Sequence, residues 1–126
     1  MLSKIPISHS KILLAVLALS LLILAGCGND NKGTATVFNG KQEVALEVSA
    51  AGYNPNRIVV KSGVPVVLKT NSTADAGCVR GIMIPEFNIN EPVDIGADTL
   101  EFTPTKTGEF QLMCQMRMST ATLVVQ

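Results

Sequence analysis

Three of the chain's five methionines crowd around a single cysteine, in the run Met113-Cys114-Gln115-Met116-Arg117-Met118. Thioether and thiolate sulfurs are soft, polarizable donors, and such sets favour Cu(I) over hard cations. Cu(I) is d¹⁰ and accepts two or three ligands without demanding a rigid geometry, so a flexible turn can supply them. One thiolate with one Cu(I) is neutral, which lowers the cost of holding the ion where the dielectric is low. The run reads as a turn between two strands. Phe110, Leu112 and Cys114 share one face of the incoming strand, and Leu123 and Val125 resume alternation in the outgoing one. Loops lie at the surface, so core filling, the ordinary use of methionine, fits best at Met113, whose Cβ points opposite to Cys114. Met113→Ala then acts as a core truncation. Met116 and Met118 are two apart and fall on the side of Cys114 if the turn is extended.

The chain has two further cysteines, Cys27 and Cys78. In an exported domain Cys78 and Cys114 have an alternative use, a structural disulfide without metal. The only histidine is His9, near the N-terminus. Once that segment is removed, no His₂Cys blue-copper centre, Cys₂His₂ zinc site or catalytic triad can be built. Glu86, Glu91, Asp94, Asp98 and Glu101 are scattered and read as solvated surface. No nucleophile, base or open metal site forms a constellation, so the chain reads as a binding protein rather than an enzyme.

The segment that precedes the domain reads as an address. Lys4 and Lys11 flank a polar start, and Ile12 to Ala25 is an apolar run with Ser20 its only polar residue. A bilayer-spanning helix wants about 20 apolar residues, and this run stops earlier, at Leu24-Ala25-Gly26-Cys27. That tetrapeptide resembles a bacterial lipobox. It makes residues 1–26 a signal peptide and Cys27 the lipidated anchor, with an uncleaved spanning anchor as the alternative. Either form holds the domain at the extracytoplasmic face of the cell membrane. Residues 27–36 are small and polar and read as a flexible tether. Beyond Lys4 and Lys11, eight basic residues stand against ten acidic ones, no footprint for nucleic acid.

What positions the sulfurs is a set of short strands. Val44, Leu46 and Val48 alternate with polar neighbours, the pattern of a half-buried strand. Further strands are predicted over Arg57–Lys61, Val64–Thr70, Val79–Ile84, Thr99–Thr103, Glu109–Cys114 and Thr120–Gln126, punctuated by Pro and Gly. No segment holds a helical period. Residues 37–126 are thus expected to form one all-β domain, a Greek-key β-sandwich.

Several motifs then resemble a known family. They are Gly52-Tyr53-Asn54-Pro55, Ile58 to Val66, Gly77-Cys78-Val79-Arg80 with Ile84-Pro85, Phe102-Thr103-Pro104, and Gly108 to Cys114. Together, over residues 42–126, they resemble the cupredoxin-like domains associated with copper-exporting P-type ATPases, and within them the membrane-anchored Cu(I) chaperones of streptococci. The resemblance implies a tight Cu(I) site at Cys78 and Cys114. It implies that Met116 and Met118 complete that site or form a second, weaker one, so that one or two ions are held, with Met113 a further candidate contact. It also implies copper sequestration and exchange with a copper-exporting P-type ATPase or its metal-binding domain. Relatives usually carry Gly between the two methionines and again three residues after the second. Here Arg117 and Ala121 take those places.

Overall fold

The computed structural model describes residues 31–126. The expected signal peptide (1–26) and lipidated Cys27 lie outside the described residues. Eleven strands follow one another: β1 (Lys32–Thr34), β2 (Thr36–Phe38), β3 (Lys41–Ser49), β4 (Gly52–Asn54), β5 (Arg57–Val60), β6 (Val66–Ser72), β7 (Gly81–Ile84), β8 (Ile89–Pro92), β9 (Gly96–Phe102), β10 (Gly108–Cys114) and β11 (Thr120–Val125). Short 3-10 segments at Ala74–Arg80 and Pro85–Phe87 flank β7.

The strands form two sheets. One has the order β1-β5-β11-β10-β7-β8, and the other runs β2-β3-β6-β9 with β4 beside β3. The pairing is mixed: β5 lies parallel to both β1 and β11, and β3 lies parallel to β6. Strands cross repeatedly from one sheet to the other, so the chain builds the all-β sandwich that its spacing implies. Alternation decides what faces inward. Val44, Leu46 and Val48 of β3, Val66 and Leu68 of β6, and Leu112 and Cys114 of β10 are buried, while Ala45 and Glu47 are exposed. Together with Ile58, Ile82, Ile84 and Leu123, the apolar ones fill a single core.

The two ends of the sandwich differ in character. At one end the buried Gln42 is fully used: its Nε2 donates to the carbonyls of Lys61 (2.9 Å) and Val64 (3.1 Å), and its Oε1 accepts from Lys61 N–H (2.6 Å). A buried amide with its partners in place costs little, and this one pins the turn between β5 and β6. At the opposite end lie the C-termini of β3, β6 and β10 and the N-termini of β7, β9 and β11, as the registers require. Cys78 and Cys114 both belong to this second end.

Some sequence expectations are corrected. Lys32–Thr34, assigned to the flexible tether, is strand β1 and pairs in register with β5. It carries no apolar residue, so no period marks it. Its fit rests on Gly33, where a Cβ would collide with the Pro55 ring. The strand predicted from Val79 starts at Gly81, because Ala74–Arg80 coils into a 3-10 segment. Val79 is nonetheless buried, so the turn delivers to the core the side chain that a strand would have delivered. β2, β4 and β8 were not foreseen; each is only three or four residues long. The acidic residues are surface groups as expected: Lys106 pairs with Glu86 and Lys41 with Glu101, and Asp98 accepts the Asp94 N–H.

Candidate metal centre

Cys114 ends β10 with its side chain turned inward, opposite Ile82 of β7. The residue is 0% exposed. The chain then folds back over it. Arg117 N–H donates to the Cys114 carbonyl (2.8 Å), Cys114 N–H donates to the Ser119 carbonyl (3.1 Å), and Met118 N–H donates to Cys114 Sγ (3.2 Å). This is a closed turn, not the extended one that the Met116 and Met118 spacing suggested.

The turn also changes the chemistry of the sulfur. Burial pushes the Cys114 thiol up, and backbone N–H groups of Ser119, Met118, Met116 and Arg117 together pull it further down. The net result is a thiol below its ordinary pKa, because the amides gathered around it favour the anion. A thiolate, not a thiol, is what binds a metal ion.

Cys78 is presented differently. It is exposed, and it follows Gly77, whose φ of 53° and ψ of −123° form a kink within the 3-10 segment. No L side chain adopts that conformation without strain. The backbone is held on both sides of the cysteine, since Ala76 and Val79 are buried in the core. Tyr53 Oη also donates to the Val79 carbonyl (2.8 Å).

Tyr53 is influenced by both cysteines. Its hydroxyl is raised well above the ordinary phenol value, first by burial and then by the charges of Cys114 and Cys78. Both thiols thus influence the same phenol, and all three residues lie at the same end of the sandwich. Both cysteines are free thiols and no disulfide joins them. Among the described residues no three of His, Cys, Asp and Glu gather. Soft sulfur is thus the donor chemistry on offer, and it suits a monovalent d¹⁰ ion better than a hard or tetrahedral-demanding one.

The methionines divide into two groups. Met116 and Met118 are 66% and 75% exposed on the turn above Cys114. Met113 does not join them. It is half-buried on the opposite face of β10 from Cys114, in register with Met83 of β7, and it lies outside the core cluster. Its expected role as a core side chain is corrected accordingly.

Two residues that position the centre carry no chemical signature in the sequence. Gln115 donates from Nε2 to Asn90 Oδ1 (2.9 Å) and lies over Gly81, where a Cβ would stand 3.1 Å from its Cγ. It ties the turn to the β7–β8 hairpin. Arg117 has φ 58°, a left-handed conformation that favours glycine. Arg117→Gly is expected to raise stability by about 0.5–1 kcal/mol, the relief of αL strain less the entropy of an added glycine. Urea unfolding of the two proteins measures it.

Comparison with known proteins agrees with this architecture. Residues 13–125 match the cupredoxin-like domain family model. A copper binding protein solved by NMR in its apo form is 32% identical, with a TM-score of 0.68 over 74% of this chain and 95% of that one. The metal binding domain of the Streptococcus pneumoniae D39 Cu(I)-exporting P-type ATPase CopA, crystallised with Cu(I), is 24% identical. It superposes with a TM-score of 0.70 over 77% of this chain and 97% of that one. Amicyanin, as the P52G mutant in its reduced Cu(I) form, is more distant at 11% identity and a TM-score of 0.51, covering 72% of this chain and 86% of that one. The last two likenesses are of fold alone. No curated protein sequence matches significantly. With a family match across most of its length and a two-sheet sandwich to go with it, the chain belongs to the cupredoxin-like domain family.

Proposed function

We propose that this protein binds Cu(I) through Cys78 and Cys114 and exchanges it with a copper-exporting P-type ATPase or that exporter's metal-binding domain. One observation carries the reading. A buried, acidified thiol at Cys114 and an exposed thiol at Cys78 lie at the same end of a sandwich whose fold is shared with a protein described as copper-binding. The streptococcal-type chaperone resemblance, the lipobox at Leu24 to Cys27 and the apolar run before it support a lipid-anchored protein at the extracytoplasmic face of the cell membrane.

The two cysteines have different tasks in this scheme. Cys114, wrapped in backbone N–H groups, offers a thiolate at little cost and lets go of the ion last. Cys78, in the open, meets the incoming or departing ion and any partner thiolate. Binding releases the thiol protons, so copper competes with protons at both sulfurs. Charge sets capacity: two thiolates with one Cu(I) leave one negative charge, and two Cu(I) ions bring the site to neutrality. Met116 and Met118 are neutral and weaker donors. They complete the coordination of the second ion and are displaced first when a partner thiolate attacks. Copper moves as cargo and no substrate bond is made or broken, so no catalysis is assigned.

The test is transfer. Copper-loaded protein, mixed anaerobically with the metal-binding domain of such an exporter, is expected to share its Cu(I) with that domain within mixing time. Met116→Ala or Met118→Ala should reduce the bound copper towards one ion and slow exchange, with the first ion retained. Unchanged stoichiometry and exchange in both variants would remove the methionines from the site.

A further inference from the structure

Four methionines fall among the described residues, and none is part of the hydrophobic core. The usual reason for a methionine in a small domain, filling an irregular gap, therefore applies to none of them. Met116 and Met118 belong to the turn over Cys114. Met83 and Met113 remain unexplained.

These two are direct cross-strand partners, Met113 of β10 opposite Met83 of β7. Opposed residues on one face of an antiparallel pair hold their Cβ atoms about 4.5–5.5 Å apart. Two flexible thioether chains starting from that spacing can place their sulfurs on either side of one ion. Both residues are half-buried. Cys114 and Ile82, one residue further along their strands, are buried on the inner face, so the methionine pair is on the outer one. A surface depression of about 260 Å³, lined by Pro85, Glu86, Glu109, Phe110 and Gln111, opens beside Met113. The nearby carboxylates are occupied, Glu86 with Lys106 and Glu109 with Arg57. What the outer face adds at this point is two soft neutral sulfurs, flanked by the neutral polar side chains of Thr120 opposite Met113 on β11 and Asn90 opposite Met83 on β8, which are poorer partners for a soft cation than thioethers.

We propose that Met83 and Met113 form a separate bis-thioether site for a soft monovalent cation, Cu(I) or Ag(I), on the outer face of the six-stranded sheet. It is distinct from the cysteine end and does not depend on it. Lacking a thiolate, it binds more weakly than Cys78 and Cys114 do, and it fills after them. It stands one residue behind Cys114 with the sheet backbone between, a second place for the ion when the tight site is full.

Silver nitrate is the probe, with methyl-¹³C-methionine labelling of the full-length protein carrying Cys78→Ser and Cys114→Ser. The methyl signals of Met83 and Met113 are expected to move together and to saturate as Ag(I) is added. Met83→Leu, close in volume, should abolish the movement at Met113. If the cysteine variant does not fold, wild-type protein is loaded until the Met116 and Met118 signals stop moving, and further Ag(I) is added. The proposal is overturned if Met83 and Met113 stay still while Met116 and Met118 respond. It is equally overturned if Met113 moves undiminished in Met83→Leu.

Discussion

Serine in place of either Cys78 or Cys114 is expected to weaken Cu(I) binding by about a thousandfold or more, about 4 kcal/mol at 1.4 kcal/mol per decade. A hydroxyl stays protonated at neutral pH and is a hard donor, so the charge and the softness of the ligand go together. The two variants should differ in stability. Cys114 is wholly buried, and a hydroxyl in its place costs about 1–3 kcal/mol when its pairing is poor. Cys78 is exposed, so its variant should stay within about 0.5 kcal/mol of wild type. A structural disulfide would give another pattern, a loss of about 2–5 kcal/mol on removing either partner and no effect on copper. Competition with a Cu(I) chelator and urea unfolding, run on both variants, separate the two outcomes.

Gly77→Ala is expected to destabilise the domain by about 1–3 kcal/mol, the cost of a non-glycine residue in a conformation that essentially only glycine adopts. A Cβ at Gly77 would meet nothing within 4 Å. The penalty is therefore one of backbone conformation and not of crowding. The chain can relieve it by rotating the Ala76–Val79 peptide segment, which displaces Cys78 relative to the end of β10. Copper affinity should fall together with stability, by about tenfold or more for a displaced ligand. D-alanine, introduced by semisynthesis, has its allowed region at the mirror-image angles and should restore both. Chemical denaturation and copper competition on the L- and D-alanine proteins measure the effect. Equal losses for both isomers would show that the kink is not what places Cys78.

The sequence made the fold legible where burial alternates. Val44, Leu46 and Val48, or Leu112 and Cys114, announce their strands by period alone. It failed where backbone pairing or a single buried side chain does the work. β1 has no apolar residue, and its place depends on Gly33 meeting Pro55 and on hydrogen bonding to β5. Val79 reaches the core from a 3-10 turn, so its hydrophobicity was read as the start of a strand. At the candidate centre the donor types were plain in the sequence: two cysteines and a methionine cluster with no histidine beside them. Their arrangement was not. The closed turn depends on main-chain hydrogen bonds to Cys114, which no residue type advertises. The separation of Met113 from Met116 and Met118 follows from strand alternation, and the sequence reading had its direction right but placed it in the core. Pairing with Met83 depends on a register between strands some thirty residues apart, which the residues between them do not specify. Tyr53 and Gln115 were out of reach for the same reason, since each acts through a partner distant in sequence.

The proposed Cu(I) site is made of sulfur alone, with Cys78 and Cys114 at its heart. Copper K-edge X-ray absorption of the anaerobically loaded protein tests it most directly. The expected result is an edge characteristic of Cu(I) and a first coordination shell fitted by sulfur only, its short thiolate contribution lost when both cysteines are replaced by serine. A shell containing nitrogen or oxygen donors, or an unaltered sulfur shell in the double serine variant, would contradict it.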